Sequence, residues 1–314
     1  MTSVLHHRRP PLAFTLGLLA AFSVAPALGS YVSPFPNIGQ AGGYTVFGLD
    51  TTIDGVGGTS TIKGDVAVGP NGSLTLGGNS VVTGTVFRDP SATVSVGGGS
   101  TVGGTVVQNM TLALDDAFGA AAAFSSHAAD QTISGNLTSS TSFSPVDGGT
   151  KFIDVNGNVS LGGSNTLTFN GTADDYYVVN VSGTFALGGT ADIQLAGGIT
   201  PQDLFFNIEF SDASQNGLQL ASGTHSLGTF LVPFSEVTLD GGTSASPVVT
   251  GAIIGDGHNI AIQSTAWVEG APSPLTVSPE PTSLASLGAC LLLISLRRRS
   301  VTPQKFATHT ECEC

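Results

Sequence analysis

The side chains able to do chemistry are few and scattered. Between Ser30 and Ser278 the cations are Lys63, Arg88 and Lys151, set against 19 acidic residues, a local charge of about −16. A lyase acting on acidic polysaccharide needs a metal-holding carboxylate cluster with a Lys or Arg base beside it. Three widely spaced cations do not supply that; Lys63 and Arg88 read better as solvated outer positions. The adjacent carboxylates are Asp115-Asp116 and Asp174-Asp175, the first explained by a helix start and the second by a corner. Asp154-Val155-Asn156-Gly157-Asn158 opens like a calcium loop but lacks the later ligands and the terminal glutamate of an EF-hand. The histidines show no metal spacing, and no nucleophile elbow or phosphate loop is present. The reading is therefore a non-enzyme with no cofactor, calcium being the one ion its acidic corners could take.

The acidic balance also bears on partners. Such a surface repels phosphate backbones, so nucleic acid is not an expected ligand. Cysteine is confined to Cys290, Cys312 and Cys314, so the preceding span has neither a disulfide framework nor a cysteine metal site. Its stability must come from packing. Gly is abundant (43 of 314 residues), charged residues are 10%, and mean hydropathy is +0.28.

What positions these residues is a repeat. From Thr59 to Asn109 the chain copies itself every 20 residues: Ser60, Ser80 and Ser100 align, as do Gly64, Gly84 and Gly104, Ile62, Val82 and Val102, and Val66, Val86 and Val106. Leu74–Gly78 returns as Val94–Gly98. Alternating β-branched and polar residues mark strands, and Gly-Gly and Pro-Asn-Gly mark corners. A repeat this short buries its apolar side only by stacking on its neighbours. The fold class is therefore all-β dominated, an irregular parallel β-helix (β-solenoid). Later coils recur at other intervals: Val155–Gly163 as Val181–Gly189 at 26, and Gly228–Leu231 as Gly251–Ile254 at 23. Glu236–Leu239 and Asn259–Ile262 also lie 23 apart. The aromatic runs Asp174–Asn180 and Leu204–Phe210 read as core and end-capping strands.

Periodicity changes at Met110. Thr111–Ala129 reads as one long α-helix, with Thr111 as N-cap, Asp115 and Asp116 near the first turn, and Leu114, Phe118, Ala121 and Ala122 on one face. The side of the solenoid is the partner that this stripe requires. His127 falls at the C-terminal end, where a cation caps favourably.

The ends read as targeting segments. Residues 1–29 have a basic start (His6 to Arg9), an apolar stretch (Leu12–Ala25) and small residues at Ala27-Leu28-Gly29, as in a signal peptide. A lead-in covers 30–43, the solenoid domain 44–269 and a linker 270–278. Residues 279–299 begin with Pro279, Glu280 and Pro281, continue through an apolar run and end in Arg297, Arg298 and Arg299; 300–314 form an extension. Fifteen apolar positions at ~1.5 Å rise fall short of a ~30 Å hydrocarbon core, which fits a transient membrane insertion better than a lasting span.

The tail's ordered triple resembles the PEP-CTERM sorting signal of Gram-negative bacteria. That resemblance implies an exosortase-type processing enzyme as partner and delivery to the outer surface or extracellular matrix; the family usually ends sooner after the arginines. The domain resembles the choice-of-anchor A family of surface adhesins, on Tyr44–Asp50, Ile62–Gly69, the Leu114–Ala129 helix, Val178–Thr184, Gly228–Leu239 and Val249–Gly255. That resemblance implies a β-helix with a helix alongside, similar to ice-binding proteins. The expected function is a cell-surface or biofilm-matrix adhesin that binds surface polysaccharide or a matrix protein. Ice binding is the alternative and a polysaccharide-active enzyme the lesser one. Ice binding needs a flat, uncharged hydroxyl and methyl plane. The candidate outward face is Thr61, Thr83, Thr85, Thr101 and Thr105, with Lys63 and Asp65 interrupting it; Thr238 is a candidate on another face.

Overall fold

A computed structural model describes residues 38–270 except 57, 145–148, 242–247 and 257–258. The expected signal peptide, most of the lead-in, the sorting tail with Pro279, Glu280, Pro281 and Arg297–Arg299, and the extension lie outside the described residues. Among the described residues no helix is long and apolar enough to cross a membrane.

The chain is a β-solenoid with one α-helix alongside. Every strand pairing is parallel, in a 12-stranded, an 8-stranded and a 3-stranded sheet. The sequence intervals are the coil lengths. Val66 stands beside Val86 at 20, Val155 beside Val181 at 26, and Gly228 beside Gly251 at 23. Alternation sends one set of side chains inward, so each aligned column becomes a column of core. Narrow early coils fill it with aliphatics such as Ile62, Leu74 and Val82. Wider later coils need larger groups. Phe206 and Phe230 stack at 4.8 Å and 10°, and Phe143 and Phe169 at 4.9 Å. The runs around Tyr177 and Phe206 are thus core, but they sit on internal rungs rather than at an end cap. Tyr177 is wholly buried, and its hydroxyl donates to the Asn170 carbonyl at 2.6 Å.

Stacking order is not chain order. The early strand Val46–Gly48 lies between Val66–Val68 on one side and the late strand Val249–Gly255 on the other. Trp267–Glu269 joins Val249–Gly255 to Thr61–Lys63 in the same way. The stack thus runs from the rung at 131–143 up through 249–269, and continues without a break into 46–56 and on to 93–107. The chain starts in mid-stack, climbs to one end, and returns along the flank through the helix to begin again at the other.

That helix is Thr111–Ser126. Its N-cap is Met110 rather than Thr111, without a side-chain cap; the Thr111 N–H instead donates to Asn109 Oδ1 at 2.8 Å. Ala113, Ala117, Ala120, Ala121 and Phe124 are buried against Phe47, Ala67, Phe152, Val178, Phe205, Leu231 and Ile254 on the long sheet. The alanines let the helix sit close to the sheet. Two asparagines fix its far end. Asn180 Nδ2 donates to the Phe124 carbonyl at 3.1 Å and Asn207 Nδ2 to the Ala121 carbonyl at 3.3 Å, supplying donors to carbonyls near the helix end, where the last turn's acceptors lack intrahelical partners. His127 is the C-cap residue, its backbone N–H donating to the Phe124 carbonyl, and its ring stacks on Phe152 at 4.2 Å and 11°. Asp116 is not in the first turn either; its Oδ2 accepts the Gln40 N–H at 2.8 Å and ties the lead-in to the helix.

Candidate functional site

Most polar side chains on the corners are spoken for by the fold. Asp65 Oδ1 accepts the Thr85 N–H at 2.7 Å, Asp130 Oδ2 the Phe152 N–H at 2.9 Å, Asn136 Oδ1 the Asn158 N–H at 2.9 Å and Asn158 Oδ1 the Thr184 N–H at 3.0 Å. In each case one coil's side chain caps an amide one coil further on. The serine column also links coils, the Ser80 N–H donating to Ser100 Oγ at 3.1 Å, while the buried Ser80 hydroxyl donates to the Gly77 carbonyl of its own turn at 2.7 Å. Asp175 accepts from the Thr172 N–H and hydroxyl at 2.6 and 2.9 Å, which is the expected corner role.

The calcium-like stretch does not converge as a loop. Asp154 Oδ1 accepts from Asn180 Nδ2 at 3.0 Å, while Asn158 faces the next corner. Asp154, Asn156, Asn180 and Glu209 line a cavity of about 70 Å³ beside the helix end. Among the described residues no three of His, Cys, Asp and Glu group as metal ligands. Nor do the cations meet. Arg88 Nη1 donates to the Ala92 carbonyl at 2.9 Å, Lys151 Nζ to the Ser144 carbonyl at 2.8 Å, and Lys63 pairs with Glu269 at 4.0 Å.

The threonines proposed as an outward face divide into two groups. Thr61, Val81 and Thr101 form one registered column, with Thr83 exposed beside it. Thr85 and Thr105 lie past the glycine corner and do not form a ladder. The pairing of Val81–Arg88 with Thr101–Val107 slips by one residue, so Thr85 faces Gly104 and Thr105 stands above Val86. The same slip places Val106 over Phe87 rather than over Val86; it remains on the next rung. The neighbouring column carries Lys63 and Glu269, so this face is charged at its centre.

The helix packs on the 12-stranded sheet and leaves the outer side of the 8-stranded sheet uncovered among the described residues. Ser160, Ala186, Gln219, Thr238, Ala261 and Asp54 stand side by side in unbroken register. A register shift follows, and then Thr75 and Ser95 continue the outward positions. The flanking column holds Thr93, Ser73, Thr52 and Asn259, with Glu236 opposite Asn216 further along. Parallel stacking spaces these groups at about 4.8 Å across strands and about 6.6 Å along them. Asp54 is the one charge in the central column. Thr238 donates to Asn216 Oδ1 at 2.8 Å, which restrains its side chain. At one edge Thr184, Ser214, Gln215, Asn216, Gln219 and Glu236 line a polar groove of about 410 Å³. Alternation within strands and the 20-residue interval could have found the hydroxyls at 73–95. The intervals of 26 and 23 likewise pair Ser160 with Ala186 and Thr238 with Ala261, but no interval leads to Gln219, which joins the two pairs, because the coils there differ in length.

A parallel β-solenoid with a flanking helix and a bare outer sheet defines a fold class that solved structures share. The ice-binding protein LeIBP from an Arctic yeast superposes with a TM-score of 0.52 at 18% identity, covering 78% of this chain and 99% of that one. An ice-binding protein from the Antarctic ascomycete Antarctomyces psychrotrophicus gives 0.49 at 17% identity, covering 75% and 98%. The DUF3494 domain of an ice-binding protein from Shewanella frigidimarina gives 0.49 at 13%, covering 75% and 97%. At these identities the likeness is one of fold. No protein-family model matches the sequence, and no curated protein matches it.

Proposed function

We propose that this chain is an exported, non-enzymatic β-solenoid that binds ice through the outer side of its 8-stranded sheet. The observation that carries the reading is the registered column Ser160–Ala186–Gln219–Thr238, with Thr75 and Ser95 exposed beyond the buried Ala261, and its hydroxyl flank. A rigid backbone repeats small hydroxyl and methyl groups at a fixed spacing, without the helix over them. A crystalline surface is recognised by such a lattice of weak contacts, each too small to hold alone. The likeness in fold to the yeast ice-binding protein supports the same reading. The test is thermal hysteresis and inhibition of ice recrystallisation by the purified chain. Thr75→Tyr and Thr238→Tyr place bulk on the plane and are expected to abolish both effects while the circular dichroism spectrum is unchanged. A folded wild-type protein that leaves ice growth untouched overturns the proposal.

A second reading is supported by the polar groove along the same sheet and by the sorting-type tail. A surface or matrix adhesin would lay a polysaccharide along Gln219, Asn216 and Glu236, whose amides and carboxylate suit sugar hydroxyls. In that reading an exosortase-type enzyme processes the chain near Pro279-Glu280-Pro281. A glycan and matrix-protein binding screen, with and without calcium, distinguishes it: retention of glycan that Gln219→Ala removes favours adhesion over ice.

A further inference from the structure

Among the described residues one end of the stack is open. There the strand Thr101–Val107 pairs only with Val81–Arg88, and Thr93–Val96 only with Ser73–Leu76. No described strand meets their far edges. The core column is open there too. Val96 stands directly above Leu76, which is 1% exposed, yet Val96 itself is 43% exposed. Val106 and Val107 are 42% and 52% exposed, and Leu112 on the first helical turn is 62% exposed. At the other end the core groups are better covered, with Leu137 at 7%, Phe143 at 1% and Ile133 half-buried.

The open end is also free of charge. No Asp, Glu, Lys or Arg occurs from Pro90 through Leu114, in a chain of net charge −13. Edge strands are normally blunted by lysine, proline or an inward charge; Thr101–Val107 has none of these. The protein already joins sequence-distant rungs by edge pairing alone, where Val46–Gly48 meets Val249–Gly255.

The geometry points to a two-fold dimer in which a second copy of this chain covers the open end, the two Thr101–Val107 strands pairing antiparallel and the valines of both copies meeting. A second copy fits on two counts. Its own open end is the matching apolar surface, and this is the place where two acidic molecules meet without like charges opposed. Head-to-tail stacking would instead set these valines against an end whose core groups are already covered, and it would continue into filaments.

The test is the mass of the full purified chain by light scattering and sedimentation over 1–200 μM (a range on the order of ordinary weak self-association). A monomer–dimer equilibrium is expected, weakened at least tenfold by Val106→Lys with Val107→Lys. Val96→Glu provides a second variant should the first not fold, and Phe234→Lys, exposed but distant from the open end, should leave the dimer intact. Amide exchange at 101–107 should slow as concentration rises. A monomer throughout, filaments, or a dimer indifferent to the end variants overturns the proposal; indifference would instead assign association to another part of the chain.

Discussion

The Lys63 ammonium lies 3.5 Å from the ring centroid of Trp267. The two residues are 204 positions apart in sequence, and the contact closes the seam where the last described strand meets the second coil. Lys63 also reaches Glu269 at 4.0 Å, so one side chain clasps the seam twice. Both members of that ion pair are over 40% exposed, and the pair itself contributes little. The cation–π contact is the larger part, about 0.5–1 kcal/mol at such a site. Lys63→Ala should lower unfolding stability by about that amount, measured by urea titration, while Glu269→Gln should change it by less.

Burial of the Tyr177 ring raises the phenol's pKa to about 12, with the nearby Asp175 carboxylate adding to it. The folded value lies above the unfolded one of about 10. Its contribution to stability is therefore complete below pH 10 and is lost as pH rises from about 10 through about 12. Tyr177→Phe should flatten that alkaline loss and cost about 1 kcal/mol at neutral pH for the missing hydrogen bond. Unfolding midpoints across the pH range, with tyrosinate absorbance, read both effects.

Asp89 works in the other direction. Burial pushes its pKa up, but hydrogen bonds from the Ser91 N–H and hydroxyl and from the Met110 N–H outweigh that and leave it lowered. A depressed carboxylate contributes stability above its unfolded value, lost as pH falls through the folded one. Asp89 Oδ2 accepts from Met110 N at 3.2 Å, which pins the residue preceding the helix. Asp89→Ala should cost about 2–3 kcal/mol, and hydrogen exchange should show the first helical turn loosening before the rest.

Gly251 has φ +146°, and a β-carbon there would strike the carbonyl oxygen of Gly228 on the next coil. Gly251→Ala combines backbone strain with a clash between rungs and should destabilise by about 2–4 kcal/mol. Gly119→Ala, on a helix position where a β-carbon meets nothing within 4 Å, should be neutral or stabilising. Parallel thermal melts compare the two.

Within the solenoid core, Phe206 touches Phe169, Phe185 and Phe230. Phe206→Ala should cost about 3–5 kcal/mol, more than any surface change on the 8-stranded sheet. The Thr75 and Thr238 variants therefore test the proposed ice plane apart from folding, and calorimetry on both sets checks the contrast.

Residues that repeat at a constant interval announced their own neighbours. Val66 and Val86, Val155 and Val181, and Gly228 and Gly251 could be paired from sequence because one coil's length is one period. The helix was visible for the same reason, as a break in that grammar. Its cap was not, because Asn109 and Asp89 hold the entry by contacts that no local motif encodes. The junction of Phe47 with Ile254 was equally hidden: backbone ladders join any two extended segments, so pairing across some two hundred residues leaves no signature. The site shows the same division. Thr238 could be singled out as an outward threonine with Ala261 beside it at 23 residues, whereas its other neighbour Gln219 depends on coils of unequal length. The ladder expected from Thr85 to Thr105 failed because one bulge shifts register while leaving the sequence alignment intact.

A strand sandwiched between a near neighbour in sequence and a coil some two hundred residues later cannot complete its pairing until that later coil has been made. Val46–Gly48 can acquire Val66–Val68 early, but its other edge waits for Val249–Gly255. Cutting the return path after Ser126 and joining Gly270 to Thr45, which lie side by side, would give a permutant of the described residues that winds from bottom to top in one pass. That molecule would contain the same contacts with far shorter loops to close, and it should fold faster than the natural order does.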